Sequence, residues 1–324
     1  MNVMVTGATV PLGVAIIERL LADPTTGHVL AVGREPREPW PDSRVTYRMA
    51  NLTRTREVHD LIHGDARAHA IDTVIHAAQH RGANDSGHYI HAQNVESARA
   101  LVHACTDHPT IRRLVARSFA EVYEQPQATT SLIDEEDALD FDPSAPQWLR
   151  DRVEADLTIA AHGGSLQTAV LRCAELIAPD SGSQLWDYLS SRVCLRPAGF
   201  DPIINVLSLE DASTAFVLAA RSATIGVFNI VGADTLPLSR AIFESNRLDI
   251  PVPGLLMAPL YRLRHALAGF EFRYDLNVRR FHFGGVLDGT RARRELGYVP
   301  QAHVHWPRPW LRVLFERLSE ARST

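Results

Sequence analysis

The stretch that most limits what this chain can fold into is its first, Val3-Met4-Val5-Thr6-Gly7-Ala8-Thr9-Val10-Pro11-Leu12-Gly13. An apolar run of strand length leads into a glycine turn, and Val14 to Leu21 then repeat their apolar side chains at helical spacing. Strand, tight turn and helix in that order form the opening of a dinucleotide-binding βαβ unit. Gly7 lets the chain turn sharply off the strand, and Gly13 lets helix and strand pack closely. The helix N-terminus then offers free N–H groups and the positive end of its dipole to a pyrophosphate. Thr9, Pro11 and Leu12 complete the expected phosphate-binding turn. Its middle glycine is absent: Val10 stands where the backbone would come closest to the phosphates.

With 324 residues, 45% of them hydrophobic and 22% charged, the chain is long enough for a large core or two unequal domains. A net charge of −5 gives no reason to expect nucleic acid as a partner. No apolar run reaches membrane-spanning length and no signal peptide precedes the first strand, so a cytoplasmic protein without a transmembrane segment is expected. Cys105, Cys173 and Cys194 are too widely spaced to suggest a zinc site or a disulfide framework, which fits a reducing compartment. All 33 basic residues are arginine. A chain without lysine can form no Schiff base and has no lysine-tuned acid or base.

His28 to Arg34 reads as the second strand. An acidic residue at its C-terminal end would bind an adenosine ribose, but Gly33 and Arg34 stand there. Glycine leaves room and arginine can pair with a 2′-phosphate, so NADP(H) is favoured over NAD(H); a solvated loop arginine is the alternative. Pro36, Pro39 and Pro41 mark a loop. Val45 to Met49 is a third strand ending at Ala50-Asn51-Leu52, and residues 54–70 form a helix. His59 and His63 lie one helical turn apart, a spacing metals can use, but no third ligand accompanies them and no metal site is expected. Ile71 to Ala78 is a fourth strand whose small end residues, Ala77 and Ala78, let a cofactor lie across it. A helix around Asn94 to Cys105 and a fifth strand, Ile111 to Ser118, follow.

Taken in order, the glycine turn, Asn51-Leu52, His76-Ala77-Ala78, Asn94-Val95, Arg113-Leu114-Val115 and Glu121-Val122-Tyr123 resemble the extended short-chain dehydrogenase/reductase family. That family includes NAD-dependent nucleotide-sugar epimerases and dehydratases. The likeness continues through Leu171 to Pro179, similar to L-R-x-x-N-x-x-G-P, and through Asn205-Val206 with Glu210-Asp211. It reaches Phe228-Asn229-Ile230 and then Asp288 with Glu295 to Pro300, similar to L-G-W/Y-x-P. The resemblance implies an α/β fold, a Rossmann-like doubly wound parallel sheet with helices on both faces. Residues 1–175 would form the dinucleotide-binding domain, its sheet completed by about 203–231. Residues 176–202 and 232–324 would form a smaller substrate or lid region over the cleft. The acidic stretch from Asp134 through Pro146 reads as a surface loop. Besides the turn and Arg34, the resemblance implies Asn51, Leu52, Ala77, Ala78, Asn94 and Ser118 as cofactor-binding positions, and a homodimer is compatible with it.

The resemblance also implies a tyrosine that moves the proton, a lysine four residues later that tunes it, and a serine or threonine near the end of the fifth strand. Aligning Val153-Glu154 on the matching helix puts Pro146 at the tyrosine and Arg150 at the lysine. No tyrosine lies between Tyr123 and Tyr188, and anchoring on Val122-Tyr123 puts Phe119 at the hydroxyl position. Ser118 is adjacent, but neighbouring residues of an extended segment point to opposite sides. Arg150 could still hold the nicotinamide ribose, though a guanidinium is a poor proton shuttle. Tyr123 matches a tyrosine the family keeps for structure.

The substrate side departs as well. Glu175 stands at the family's asparagine beside the substrate diphosphate, where it would repel phosphate, and Phe200 replaces an arginine before Asp201. Arg279 or Arg280 matches another phosphate-contacting arginine. A UDP-sugar is therefore not expected, and the apolar residues Trp186, Tyr188, Phe200 and Leu255 to Phe270 suggest an apolar ligand, a membrane contact or simple packing. Two readings stand. One is a dinucleotide-binding homologue with an unknown small-molecule ligand and the standard catalytic set lost. The other is a divergent NADP(H)-dependent oxidoreductase or epimerase working through Glu121, Tyr123, Arg150 or Glu175.

Overall fold

Apolar strands buried on both faces build the centre of the molecule. The computed structural model describes residues 1–36, 40–80, 82–124, 132–162 and 164–306; Pro39, expected in a loop, and residues 307–324, the end of the expected C-terminal region, lie outside the described residues.

Every residue of β1 (Val3–Thr6) is buried, as in a strand covered by helices on both sides. The chain turns at Gly7 into α1 (Pro11–Leu21), which buries Leu12, Ile16, Ile17 and Leu20 along one stripe. β2 (Val29–Gly33) and the half-exposed edge strand β3 (Val45–Met49) follow, then α2 (Thr55–Asp60), whose helical path runs on in a wider winding over Leu61–Ala66. β4 (Thr73–His76) leads to a second helical run, α3 (His88–His91), a wider turn over Ala92–Glu96, and α4 (Ser97–Cys105). Next come β5 (Arg113–Phe119), β6 (Leu132–Ile133), α5 (Gln147–Ala160), β7 (Gln167–Cys173), β8 (Glu175–Leu176) and α6 (Gln184–Leu189). After β9 (Val193–Pro197) and β10 (Ile203–Leu207), α7 (Leu209–Arg221) starts on Ser208, whose hydroxyl accepts the Asp211 N–H. The rest is β11 (Gly226–Ile230), β12 (Asp234–Pro237), α8 (Leu238–Glu244), β13 (Leu248–Val252), α9 (Gly254–Ala268), α10 (Tyr274–Phe283), β14 (Val286–Leu287) and α11 (Thr290–Leu296).

The main sheet has the order β11-β7-β5-β4-β1-β2-β3, and every pair in it is parallel. The chain direction across the sheet reverses between β1 and β4, which leaves a crevice at the carboxyl ends of those strands. One core fills the face covered by α1, α7 and α11, with Ile16, Ile17 and Phe216 at its centre. A second fills the opposite face, where Val58, Leu61, Leu101 and Ile159 pack on the sheet. A third, aromatic core of Tyr188, Tyr261, Phe272, Tyr274 and Phe281 holds the C-terminal region together.

One expectation needs correction. The segment 203–231 was expected to complete the main sheet, but only β11 does so. β10 pairs instead in parallel with β8 and antiparallel with β12, in a separate three-stranded sheet. β11 takes the place beside β7, so the free partner for β10 is β8, which lies just past the end of β7.

Two consequences are measurable. A Cβ on Gly13 would sit 2.0 Å from the carbonyl oxygen of Gly7. Gly13→Ala is expected to lower stability by about 2 kcal/mol or more, because backbone must give way; an unchanged urea midpoint would refute the packing argument. His76 is fully buried, with Nδ1 2.8 Å from the Thr6 hydroxyl, and burial pulls its imidazole down from the ordinary 6.5 to about 4. The unfolded chain therefore takes up a proton that the folded chain refuses. This contribution to stability is present above pH 6.5 and is lost as the pH falls towards 4. Compared with His76→Asn, the wild type should lose roughly 2 kcal/mol between pH 7 and pH 5, read as the change in the difference of urea midpoints.

Candidate functional site

The carboxyl ends of β1, β2 and β4 open on a cleft of about 740 Å³. Gly7 turns there with φ +76°, and a Cβ on it would meet the Ala78 backbone nitrogen at 2.9 Å. α1 begins from an extended Val10 that offers no side-chain cap, and its first residue, Pro11, has no N–H to give. The free donors at this helix start thus begin with Leu12 and Gly13. A glycine cradle, an uncapped helix start and a cleft of this size fit a dinucleotide. Its pyrophosphate would lie against the Gly7–Gly13 turn and its adenosine towards β2.

Gly7, Thr9, Val10, Arg34, Asn51, Leu52 and Ala78 all line this cleft. Beside β2 a Cβ on Gly33 would meet the Tyr47 hydroxyl at 2.5 Å and Thr9 Cγ2 at 2.8 Å. An acidic side chain at position 33 would displace Tyr47 and Thr9, while Glu35, next to Arg34, already lines the cleft. Arg34 donates to the Tyr89 hydroxyl, its guanidinium 5.7 Å from the ring centroid. Asn51 accepts the Thr53 N–H at 3.1 Å and fixes the turn that leads to Leu52. Asn94 lies behind the wall, where its Oδ1 takes the His80 N–H at 2.9 Å and holds the chain leaving β4. Ala77 is buried beneath Gly7. His59 and His63 are exposed with ring centroids 4.4 Å apart, and among the described residues no group of His, Cys, Asp and Glu is placed to hold a metal ion.

Several expected residues lie elsewhere. Ser118 is buried and donates to Asp156 Oδ2 at 2.5 Å, and the same carboxylate pairs with Arg172 at 2.7 Å. Its hydroxyl therefore serves the interior rather than the cleft. Tyr123 is fully buried, donates to Asn229 Oδ1 at 2.7 Å, and is pushed up to about 12 by burial. Pro146 is the N-cap residue of α5, and Arg150 is exposed in a separate groove with Asp140, Phe141 and Leu157. The expectation that Arg150 holds a nicotinamide ribose is thus corrected: the winding of α5 carries it to the outer face.

Trp148 and Arg152 of α5, which also lie four residues apart, gather at Phe119, the last residue of β5. The Arg152 guanidinium sits between two rings, 3.4 Å from the Phe119 centroid and 3.7 Å from that of Trp148. It pairs with Glu121 at 3.2 Å and donates to the Gly182 carbonyl at 2.9 Å. Burial pushes it down to about 10, still cationic at neutral pH. Arg280, from α10, joins the same cluster by pairing with Glu121 at 3.5 Å and with Glu175. Burial pushes the Glu175 carboxyl up, but Arg280 and the Ser183 hydroxyl outweigh it and hold the group below its ordinary range. Glu121 lies above its ordinary range, because burial and the Glu175 charge together outweigh Arg152 and Arg280. Glu175 thus engages Arg280, the arginine that the sequence suggested as a phosphate contact.

At the far end of the cleft stand Trp186, Asp187 and Glu271. Asp187 accepts from Gln184 Nε2 at 3.1 Å, and burial together with Glu271 and Glu175 pushes its carboxyl up to about 7. Neither Asp187 nor Glu271 carries a family motif, so nothing in the sequence singled them out. The repeat of an i, i+4 spacing at Trp148 and Arg152 was the signal available for α5.

Sheet order, turn geometry and cleft define a Rossmann-like α/β protein of the dinucleotide-binding kind. Residues 3–229 match the NAD dependent epimerase/dehydratase family, and the chain belongs to it. Uncharacterized proteins of Mycobacterium tuberculosis and Mycobacterium bovis are 31% identical to it over 307 residues, 92% of this chain and 80% of theirs. The UDP-glucuronic acid 4-epimerase of Bacillus cereus, solved with UDP-glucuronic acid and NAD, superposes with a TM-score of 0.67 at 16% identity, over 94% of this chain and 95% of that one. The dTDP-glucose 4,6-dehydratase of Bacillus anthracis, solved with NAD, gives a TM-score of 0.68 at 14% identity, over 93% and 92%. At such identities the likeness concerns the fold alone. Among the described residues no helix is long and apolar enough to cross a membrane.

The buried charge cluster has a thermodynamic signature. Glu175→Gln leaves Arg280 short of a counter-charge and is expected to cost about 3–5 kcal/mol. Adding Arg280→Met should recover part of that loss in urea titrations; strictly additive single effects would show that the two groups do not interact.

Proposed function

We propose that this chain binds an NAD-type dinucleotide in the cleft, with NADP(H) preferred, and does not run the tyrosine–lysine–hydroxyl proton transfer of its family. The observation that carries the reading is Arg152, wedged between Phe119 and Trp148 and paired with Glu121 at the end of β5. A permanently charged guanidinium, a phenyl ring and an indole supply no hydroxyl to bind a reacting oxygen and no proton to give. The chain holds no lysine that could be recruited in their place. A UDP-sugar is disfavoured as ligand, since Arg280 is neutralised by Glu175 and Glu121 while Asp187 and Glu271 stand at the far end of the cleft.

The NADP(H) preference rests on Arg34 beside a glycine that cannot be replaced by an acid without displacing Tyr47. A 2′-phosphate paired with Arg34 should contribute roughly 1.5–3 kcal/mol, about tenfold or more in affinity. Calorimetry should show NADPH binding more tightly than NADH, the difference vanishing in Arg34→Asp, while the control Arg150→Ala leaves both unchanged. Equal affinities in the wild type would end the preference. A coupled assay for UDP-glucose and UDP-galactose interconversion should give no turnover above background at high enzyme concentration.

One observation favours the alternative of an active, divergent oxidoreductase. The Asp187 carboxyl titrates near neutrality in the cleft wall, where a proton acceptor would be useful. On that reading, oxidation of an alcohol substrate by NADP⁺ should appear with a rate that rises with pH through about 7, and Asp187→Asn should abolish it.

A further inference from the structure

Helix α9 is apolar on both sides. Its inner face puts Met257 and Tyr261 into the aromatic core, and Arg264 turns inward to donate to the Val193 carbonyl at 2.9 Å. The other face is open: Leu255 is 93% exposed, Leu256 51%, Leu263 54% and Leu267 78%. At 100° per residue these leucines and Pro259 fall on one third of the helix circumference, with Arg262 at its edge. A helix that is apolar all round is ordinarily covered on all sides, and nothing among the described residues covers this one.

Charge indicates what does. Between Asp249 and Glu271 the sequence has no carboxylate, and the exposed side of the helix carries Arg262 and His265, in a chain whose net charge is −5. A second copy of this face would offer Arg262 no carboxylate from residues 250–270 to pair with. An anionic lipid surface meets both demands at once: acyl chains receive the leucines and headgroups receive the guanidinium. We propose that the outward face of α9 docks on an anionic membrane surface, with the helix lying in the plane of the interface. Leu255, Leu263 and Leu267 would enter the acyl boundary. Arg262 would stay at headgroup level.

The test is co-sedimentation of the full chain with vesicles of phosphatidylglycerol and phosphatidylcholine, against vesicles of phosphatidylcholine alone. Binding to the mixed vesicles is expected to exceed binding to the neutral ones at least fivefold and to weaken in 0.5 M salt. Leu263→Glu with Leu267→Glu should remove it. Both sites are exposed, so the variant should keep the wild-type urea midpoint. Arg262→Glu should lower binding to the anionic vesicles while leaving the weak binding to neutral ones unchanged. The proposal falls if neither vesicle binds, or if the double variant binds as the wild type does. It also falls if the wild type is a dimer by sedimentation velocity that the double variant dissociates, which would assign the face to a second copy.

Discussion

The contact between α1 and the turn that precedes it is the constraint on which the rest depends. The carbonyl of Gly7 lies where a Cβ on residue 13 would stand, and the missing Cβ of Gly7 leaves the Ala78 backbone only just clear. Because both positions are glycine, the helix can seat its start directly over the ends of β1 and β4. That seating opens the crevice at the reversal of strand order and aims the helix dipole into it. Pro11 removes one donor from the turn but does not change where it lies.

Beyond the end of β5 the interior holds a set of paired charges. Arg152, Arg280, Glu121 and Glu175 are drawn from four separate segments, and each satisfies another. Their solvation has been given up, so they can persist only as a paired set. The same pairing ties α10, in the C-terminal region, to the end of β5 and to β8. What remains open is the dinucleotide-sized cleft, with an aromatic ring and two carboxylates at its far end.

Much of this was legible in the residues. The glycine turn, Gly33-Arg34, Asn51-Leu52 and Ala78 line the cleft because each sits at the carboxyl end of a strand whose apolar run marks it. Local pattern and strand order are enough to bring such positions together. Legibility failed on α5 and β10. Val153-Glu154 set an alignment two residues from Trp148 and Arg152, and a shift of two on a helix turns a side chain by more than half a circle. The apolar run of β10 is as good a strand as β11, and its sequence does not say which edge it will find.

The sequence by itself determined the α/β class, the family, the parallel sheet and the placement of the phosphate turn, since these follow from periodicity and glycine positions that act over a few residues. It also determined that these 324 residues offer no lysine. Only the tertiary structure decided which arginine is buried and which is exposed. It decided that Glu175 pairs with Arg280, that burial pushes the Asp187 carboxyl up to about 7, and that one face of α9 is left bare among the described residues. Each of those depends on groups distant in the chain entering one low-dielectric region or failing to, and burial of that kind is a property of packing rather than of any local stretch of sequence.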